Sequence, residues 1–387
     1  MPYDVAVIGL GAMGSAAVWQ LARRGVRVVG VDRFAPPHPA GSTHGHTRII
    51  REAYFEHPLY VPLVKRAYGL WDELAKSSGD ELFRATGGLM LGPPQGTLVA
   101  GALRSAKEHG LAHELVDARE VARRYPALVP AAGDVGVIEP RAGVLFPERG
   151  VRAMLDAAHE LGATTGTGVR VLTWRAEPNG VTITTTDGEV TAARAIFVAG
   201  AWMGALVPAL APSLSVRRQL GHWFVPRAHR ERFRADRLPV MLWEHAADRF
   251  FYSIPDVGDG LKASIHHEGR AVDPDAPREP VTPAETAQIR ALLERLMPDG
   301  AGRVRETSTC LYTNTPDGHF AIGRHPDHAN VVLASCCSGH GFKFAPAVGG
   351  LLADLVLDGG TAFDLSPFAL SRLWRPSVPH TTPQATP

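Results

Sequence analysis

The sequence predicts an α/β fold in which a nucleotide-binding domain, built from separated stretches of chain, is interrupted by an inserted antiparallel-sheet domain. Three observations point there. The chain opens on a strand, helix, strand pattern bent around glycines. Its middle, from about 215 to 310, changes to short aromatic strands, and a strand and helix pattern returns near the end.

The opening run "YDVAVIGLG" is apolar and β-branched. "AMGSAAVWQLARRG" then has helical composition with Gly25 as its stop, and "VRVVGVDRF" returns as a strand. This is a βαβ unit of Rossmann-like type. Gly9, Gly11 and Gly14 form G-x-G-x-x-G at its first turn, where missing side chains permit a tight bend, a close approach to pyrophosphate and close helix packing. The helix that follows offers unpaired N–H groups to phosphate. Asp32, at the end of the second strand, is placed to accept a ribose hydroxyl. NAD and FAD share this fingerprint, which leaves the choice between them open.

Amphipathic helices are expected at "YVPLVKRAYGLWDELAKSSG" and "GVRAMLDAAHELGA", followed by short strands in "GVRVLTWRAE", "GVTITTTDG" and "ARAIFVAGAW". The inserted part contributes "QLGHWFV", "RFFYSI" and "LKASIHH". It also holds a helix marked by Thr282, Pro283 and Glu285, a capping box with proline in the first turn. "NVVLAS" and "PAVGGLLADLVLDGG" return to the nucleotide-domain pattern. The expected division assigns 1–80, 145–214 and 311–372 to the nucleotide domain and 81–144 and 215–310 to the substrate domain. Residues 373–387, rich in Pro and Thr, are expected to form a flexible tail.

Forty Lys and Arg against 39 Asp and Glu leave no net field to attract nucleic acid or an acidic membrane. No apolar run approaches the roughly 18 residues of a membrane helix, and the N-terminus reads as folded structure rather than a leader. Three cysteines, an odd and small number, argue against a disulfide scaffold and for reduced cytosol. A cytoplasmic protein is expected. Cys336 and Cys337 are adjacent, face opposite ways on a strand, and are poor partners for each other.

Five motifs in order then converge: "GLGAMG", "GSTHGHTRIIREAY" at 41–54, "GLKASIHH" at 260–267, "CLYTNTPDGHF" at 310–320 and "SGHGFKF" at 338–344. On these the chain resembles the monomeric sarcosine oxidase and N-methyltryptophan oxidase family of FAD-dependent amine oxidases, from Tyr3 to about Arg372. The resemblance implies FAD as cofactor, a secondary amine bearing a carboxylate as substrate, O2 as electron acceptor, hydrogen peroxide as product, a monomer, and no metal. Read without it, the motifs also fit a flavin dehydrogenase passing electrons to a quinone or carrier protein, or a flavin-binding protein without catalysis. A nicotinamide dehydrogenase fits only the first 35 residues.

The resemblance further implies individual roles. Cys310 falls on the position whose sulfur bonds the flavin; from the residues alone it reads as a small packing side chain. Arg51 and Lys343 are implied as the clamp on the substrate carboxylate, a task suited to a two-pronged guanidinium and a cation near a helix N-terminus. His44 and Arg48 are implied in the flavin's surroundings. If "TRIIRE" is extended, Arg48 and Arg51 face opposite ways. Gly339 and Gly341 are implied beside the flavin ring. Lys262 is implied as the cation that eases electron transfer to O2; alone, it reads as an edge-strand lysine. His266 shares its strand face, and Tyr252 and Tyr312 are implied as pocket aromatics. His46 receives no role.

Overall fold

The opening strand, helix, strand unit sits at the centre of the first sheet. In the computed structural model, which describes residues 1–375, Tyr3–Ile8 pairs in parallel with Val28–Asp32 on one side and Gly188–Phe197 on the other. Val331–Ser335 and Thr164–Thr167 extend the parallel run at its two ends. Burial on both faces explains why Tyr3–Ile8, Val28–Asp32 and Val331–Ser335 read as apolar runs rather than alternating ones. Gly188–Phe197 is shared along its length. Its first half pairs with the hairpin Val171–Glu177 and Gly180–Thr185, and its last three residues with Val331–Ser335.

Helices Ala12–Ala22 and Ala345–Leu357 pack together over this sheet. A side chain on Gly349 would put a Cβ 2.5 Å from the Ala16 carbonyl carbon, so their approach requires glycine there. Helix Tyr60–Ser78 ends at Gly79 in the left-handed conformation. Helix Pro147–Glu160 begins three residues ahead of the expected pattern, because proline suits the first helical position.

The inserted sheet has eight strands, in the order Arg303–Asn314, Ser215–Val225, Leu261–His266, Arg249–Ile254, Val240–Ala246, Gly88–Gly92, Val135–Glu139 and Glu114–Asp117. All neighbours are antiparallel except Val240–Ala246 with Gly88–Gly92. Helix Pro283–Leu296 buries Ile289, Leu293 and Leu296 in the core on this sheet and starts on the expected capping box. Lys262 therefore lies on an interior strand, not an edge, and is 4% exposed. A small third sheet, Arg48–Ile50, Gly143–Leu145 and Phe83–Ala85, carries the arginine segment.

The expected tail falls mostly on residues 376–387, outside the described ones. At its start the expectation is corrected: Leu373 is buried and Trp374 packs beside it, because both are apolar and reach the core under the first sheet. Among the described residues no helix is long and apolar enough to cross a membrane.

Candidate active site

One cavity of about 390 Å³ is lined from both large sheets. Gly9, Gly11 and Asp32 line it from the nucleotide side. His44 comes from the segment before the third sheet's strand Arg48–Ile50, Arg48 from its first position, and Arg51 from just after it. Tyr252, Lys262, His266, Cys310 and Tyr312 come from the inserted sheet, and Gly339, Gly341 and Lys343 from the link to the last helix. Gly14 lies behind the lining. A Cβ there would stand 1.6 Å from the Gly9 carbonyl oxygen, so this glycine closes the turn itself.

The cradle suits a dinucleotide. Gly9 takes φ 94°, and Asp32 anchors the turn by accepting the Leu10 N–H at 2.7 Å and the Phe34 N–H at 2.8 Å, with lone pairs remaining for a ligand hydroxyl. His38 Nδ1, His44 Nε2 and Ser335 Oγ also line the cavity, and each is buried without a partner among the described residues. Orphaned polar atoms on a glycine cradle fit a large cofactor with many acceptors and donors, as FAD is.

Arg51 is 3% exposed and already paired. Its Nη2 donates to both oxygens of Glu56, at 2.9 and 2.7 Å, and Nη1 donates to the Ala53 carbonyl at 3.0 Å. Burial opposes the guanidinium charge, but Glu56, Tyr54 and Glu139 together hold the pKa above the ordinary value. For Glu56 burial would raise the pKa; Arg51, His340 and Lys343 together pull it below the carboxylate range. The strand ends at Ile50, so strand alternation does not separate the two arginines. Arg48 donates to the Thr47 and Ser42 carbonyls, both at 2.8 Å, and both arginines line the cavity.

Lys343 stands on a short turn, Phe342–Phe344, just before the last helix. Its Nζ donates to the His340 carbonyl at 2.7 Å and to Tyr54 Oη at 3.3 Å, leaving one of three donors for a ligand. Tyr54 Oη in turn lies 2.7 Å from His340 Nδ1, whose Nε2 is 3.0 Å from the Gly318 carbonyl. A carbonyl only accepts, so Nε2 carries the proton and Nδ1 accepts from the tyrosine. The Tyr54 ring also faces Arg51, with its centroid 4.3 Å from Cζ. Burial brings Lys343 down to about 7, with Arg51 adding to the shift, and drives His340 to about 3.

Lys262 Nζ donates to the carbonyls of Gly45, at 2.6 Å, and Thr47, at 3.1 Å, above the Trp223 ring. Burial, then Arg48, lowers it to about 7. Burial and the same arginine bring His44 to about 4. His266 lies well below its usual value through burial and its cationic neighbours, and Nδ1 is 3.4 Å from Tyr312 Oη. Burial pushes Tyr252 up to about 12 and holds Tyr312 well above its usual value. Cys310 is half-buried. Burial raises its thiol pKa while Arg48 and Lys262 pull the other way. Cys336 and Cys337 both line the cavity because the strand has ended at Ser335.

Tyr54, Glu56 and His340 are the polar groups that sequence reading passed over. The acid five positions after Arg51 was the one signal available. The segment "MLWEHAADRFFY" splits: Leu242 and Tyr252 line the cavity, whereas His245, Ala246 and Arg249 line a separate depression against helix Pro283–Leu296.

Comparison with known proteins places the chain. A family model described as FAD dependent oxidoreductase matches residues 4–355. Monomeric sarcosine oxidase of Streptomyces avermitilis is 40% identical, over 96% of this chain and 98% of its own. N-methyl-L-tryptophan oxidase of Salmonella enteritidis is 36% identical, over 96% and 99%. NikD, an unusual amino acid oxidase essential for nikkomycin biosynthesis, superposes with a TM-score of 0.81 at 23% identity, covering 95% of this chain and 97% of that one; it shares the fold. The glycine cradle and the inserted sheet fall inside the matched span, which ends within the last helix, and the chain belongs to the FAD-dependent oxidoreductase family, among the monomeric sarcosine and N-methyltryptophan oxidases.

Proposed function

We propose that this protein oxidises a secondary amine bearing a carboxylate, an N-methyl or cyclic amino acid, to the imine, with O2 reduced to hydrogen peroxide. The observation that carries the reading is the pairing of Arg51 and Lys343 around Tyr54 in a cavity that also holds the dinucleotide cradle. Bound FAD would supply the two-electron acceptor for the C–H bond next to nitrogen and the donor to O2.

The chain's own residues do the rest. The free donor of Lys343 and the guanidinium of Arg51 hold the carboxylate and fix which carbon faces the cofactor. Fixed cations and uncharged imidazoles favour the neutral amine, whose nitrogen lone pair assists C–H cleavage. Tyr252, Tyr312, Leu242 and Ile49 wall the amine and exclude water. Lys262 offers its remaining donor toward the cavity, where a positive charge lowers the cost of the first electron reaching O2. Cys310, which lines the cavity, would hold the flavin through a thioether. The same reading makes the protein a cytoplasmic monomer. It keeps the domain division given above, whose boundary at 310 falls within strand Arg303–Asn314.

An anaerobic screen of secondary amino acids, followed by admission of air, tests this. Bleaching of the yellow enzyme by at least one member, and its return in air with equimolar peroxide, is expected. No bleaching across the screen overturns the activity. Bleaching that air reverses only slowly assigns a dehydrogenase instead.

A further inference from the structure

His46 lies just outside the cavity, while its neighbours Gly45 and Thr47 line it. Its φ is 65°, a backbone conformation that a residue with a side chain adopts only where its surroundings hold it. Three carboxylates do so. Glu148 Oε1 accepts the Gly45 N–H at 2.6 Å and the His46 N–H at 3.1 Å. Asp259 Oδ2 is 3.0 Å from the ring's Nδ1, and Glu306 Oε1 is 3.4 Å from Nε2. The ring thus reaches the turn before strand Leu261–His266 and strand Arg303–Asn314, and it rests 5.2 Å from the Trp223 ring.

The other end of this tie is Lys262. The Gly45 carbonyl and the His46 N–H belong to one planar trans peptide and point in opposite directions. With the N–H fixed on Glu148, the carbonyl is aimed at Lys262 Nζ, 2.6 Å away. The Thr47 carbonyl, one residue beyond His46, takes a second donor at 3.1 Å. Trp223 supports both partners, its ring centroid 4.7 Å from Nζ. The direction of the one remaining Lys262 donor is therefore set by the two carbonyls that flank His46.

We propose that His46 is a positioning residue for Lys262: clamped by Asp259, Glu306 and Glu148, it aims the Gly45 and Thr47 carbonyls and thereby orients the lysine for the reaction with O2. The inference rests on the reading of Lys262 given above. His46→Gly keeps the left-handed backbone and removes the ring; His46→Asn tolerates that backbone and keeps a donor for Asp259.

The test uses holoenzyme reduced with dithionite and mixed with aerated buffer, so no substrate is needed. Reoxidation of His46→Gly is expected to slow about tenfold and that of His46→Asn by no more than about threefold. A second readout is acetylation of Lys262 by acetic anhydride, mapped by mass, which should rise severalfold in His46→Gly as the amine loosens. Wild-type reoxidation and labelling in His46→Gly, with Lys262→Met slow, overturns the positioning role alone. Wild-type reoxidation in Lys262→Met overturns the reading beneath it and the proposal with it. If His46→Gly does not fold, the double variant Asp259→Asn, Glu306→Gln must show the same slowing, and wild-type rates there overturn the proposal.

Discussion

Arg51 and Glu56 face each other inside the cavity as an ion pair, with Nη2 donating to both carboxylate oxygens, so the guanidinium proposed to receive a substrate carboxylate already holds one from its own chain. An incoming carboxylate must share or displace Glu56. Removing that competing charge while keeping the side chain's shape, Glu56→Gln, is expected to tighten binding of an amine-free carboxylate by roughly tenfold. Lys343→Met, which deletes a buried partner outright, should weaken it at least about thirtyfold. Both are read from flavin absorbance during titration. An unchanged dissociation constant in Glu56→Gln would remove Glu56 from the binding step.

Cys310 is predicted to hold the flavin, and the chemistry is separable from binding. The glycine cradle and Asp32 are distant in sequence and independent of the thiol, so Cys310→Ala should still bind FAD without a covalent bond. Acid precipitation is expected to leave the colour in the wild-type pellet and to release it from the variant. Intact mass distinguishes the two directly. Colour released from the wild type would count against the thioether.

The parts of the molecule legible in sequence were those whose signals are local. The βαβ unit was readable because Gly9, Gly11 and Gly14 mark the turn and "VVGVD" is a short apolar run. The capping box at Thr282 was readable because N-cap and Glu285 lie three residues apart. Tyr54 was not, since its partner His340 is 286 positions away and nothing local marks a buried phenol as a bridge between cations. His46 escaped for a similar reason: its proposed role depends on a left-handed backbone and on carboxylates brought in by a helix, a turn and another strand. Lys262 alone looked like an edge guard, because a strand's place in its sheet is a long-range property.

Two glycines offer a packing test that is independent of catalysis. A Cβ at Gly14 would lie 1.6 Å from the Gly9 carbonyl oxygen, and one at Gly341 would lie 1.7 Å from the Cys336 carbonyl oxygen. Neither clash can be relieved by turning a side chain, since both atoms are backbone. Gly14→Ala is expected to yield protein without flavin, and Gly341→Ala to lower the melting temperature by several degrees, on the order of a 1–3 kcal/mol overpacking cost. Thermal unfolding with and without added FAD separates the two. Gly350, on the last helix with open space around it, is the matched control and should accept alanine without loss.

The depressed lysines set a pH dependence whose sign is fixed by their charge. Lys343 titrates at about 7, first through burial and then through Arg51, while burial keeps His266 and His340 neutral through the same range. Only the protonated lysine attracts a carboxylate. Affinity for an amine-free carboxylate should therefore be full below pH 7 and fall as pH rises through it, by at most about tenfold per pH unit because the bound anion raises the lysine's pKa. Lys343→Arg, charged at every accessible pH, should flatten the curve. Stability of the protein without ligand moves the opposite way. Lysine in the unfolded chain titrates near 10.5, so above pH 7 the unfolded state binds more protons than the folded one and the folded state gains. Melting temperature should rise between pH 7 and about 8.5, before thiol ionisation in the unfolded chain, favoured over the buried Cys336, begins to oppose it. A dissociation constant independent of pH, with a melting temperature that falls over this window, would place both lysines outside the cavity's electrostatics.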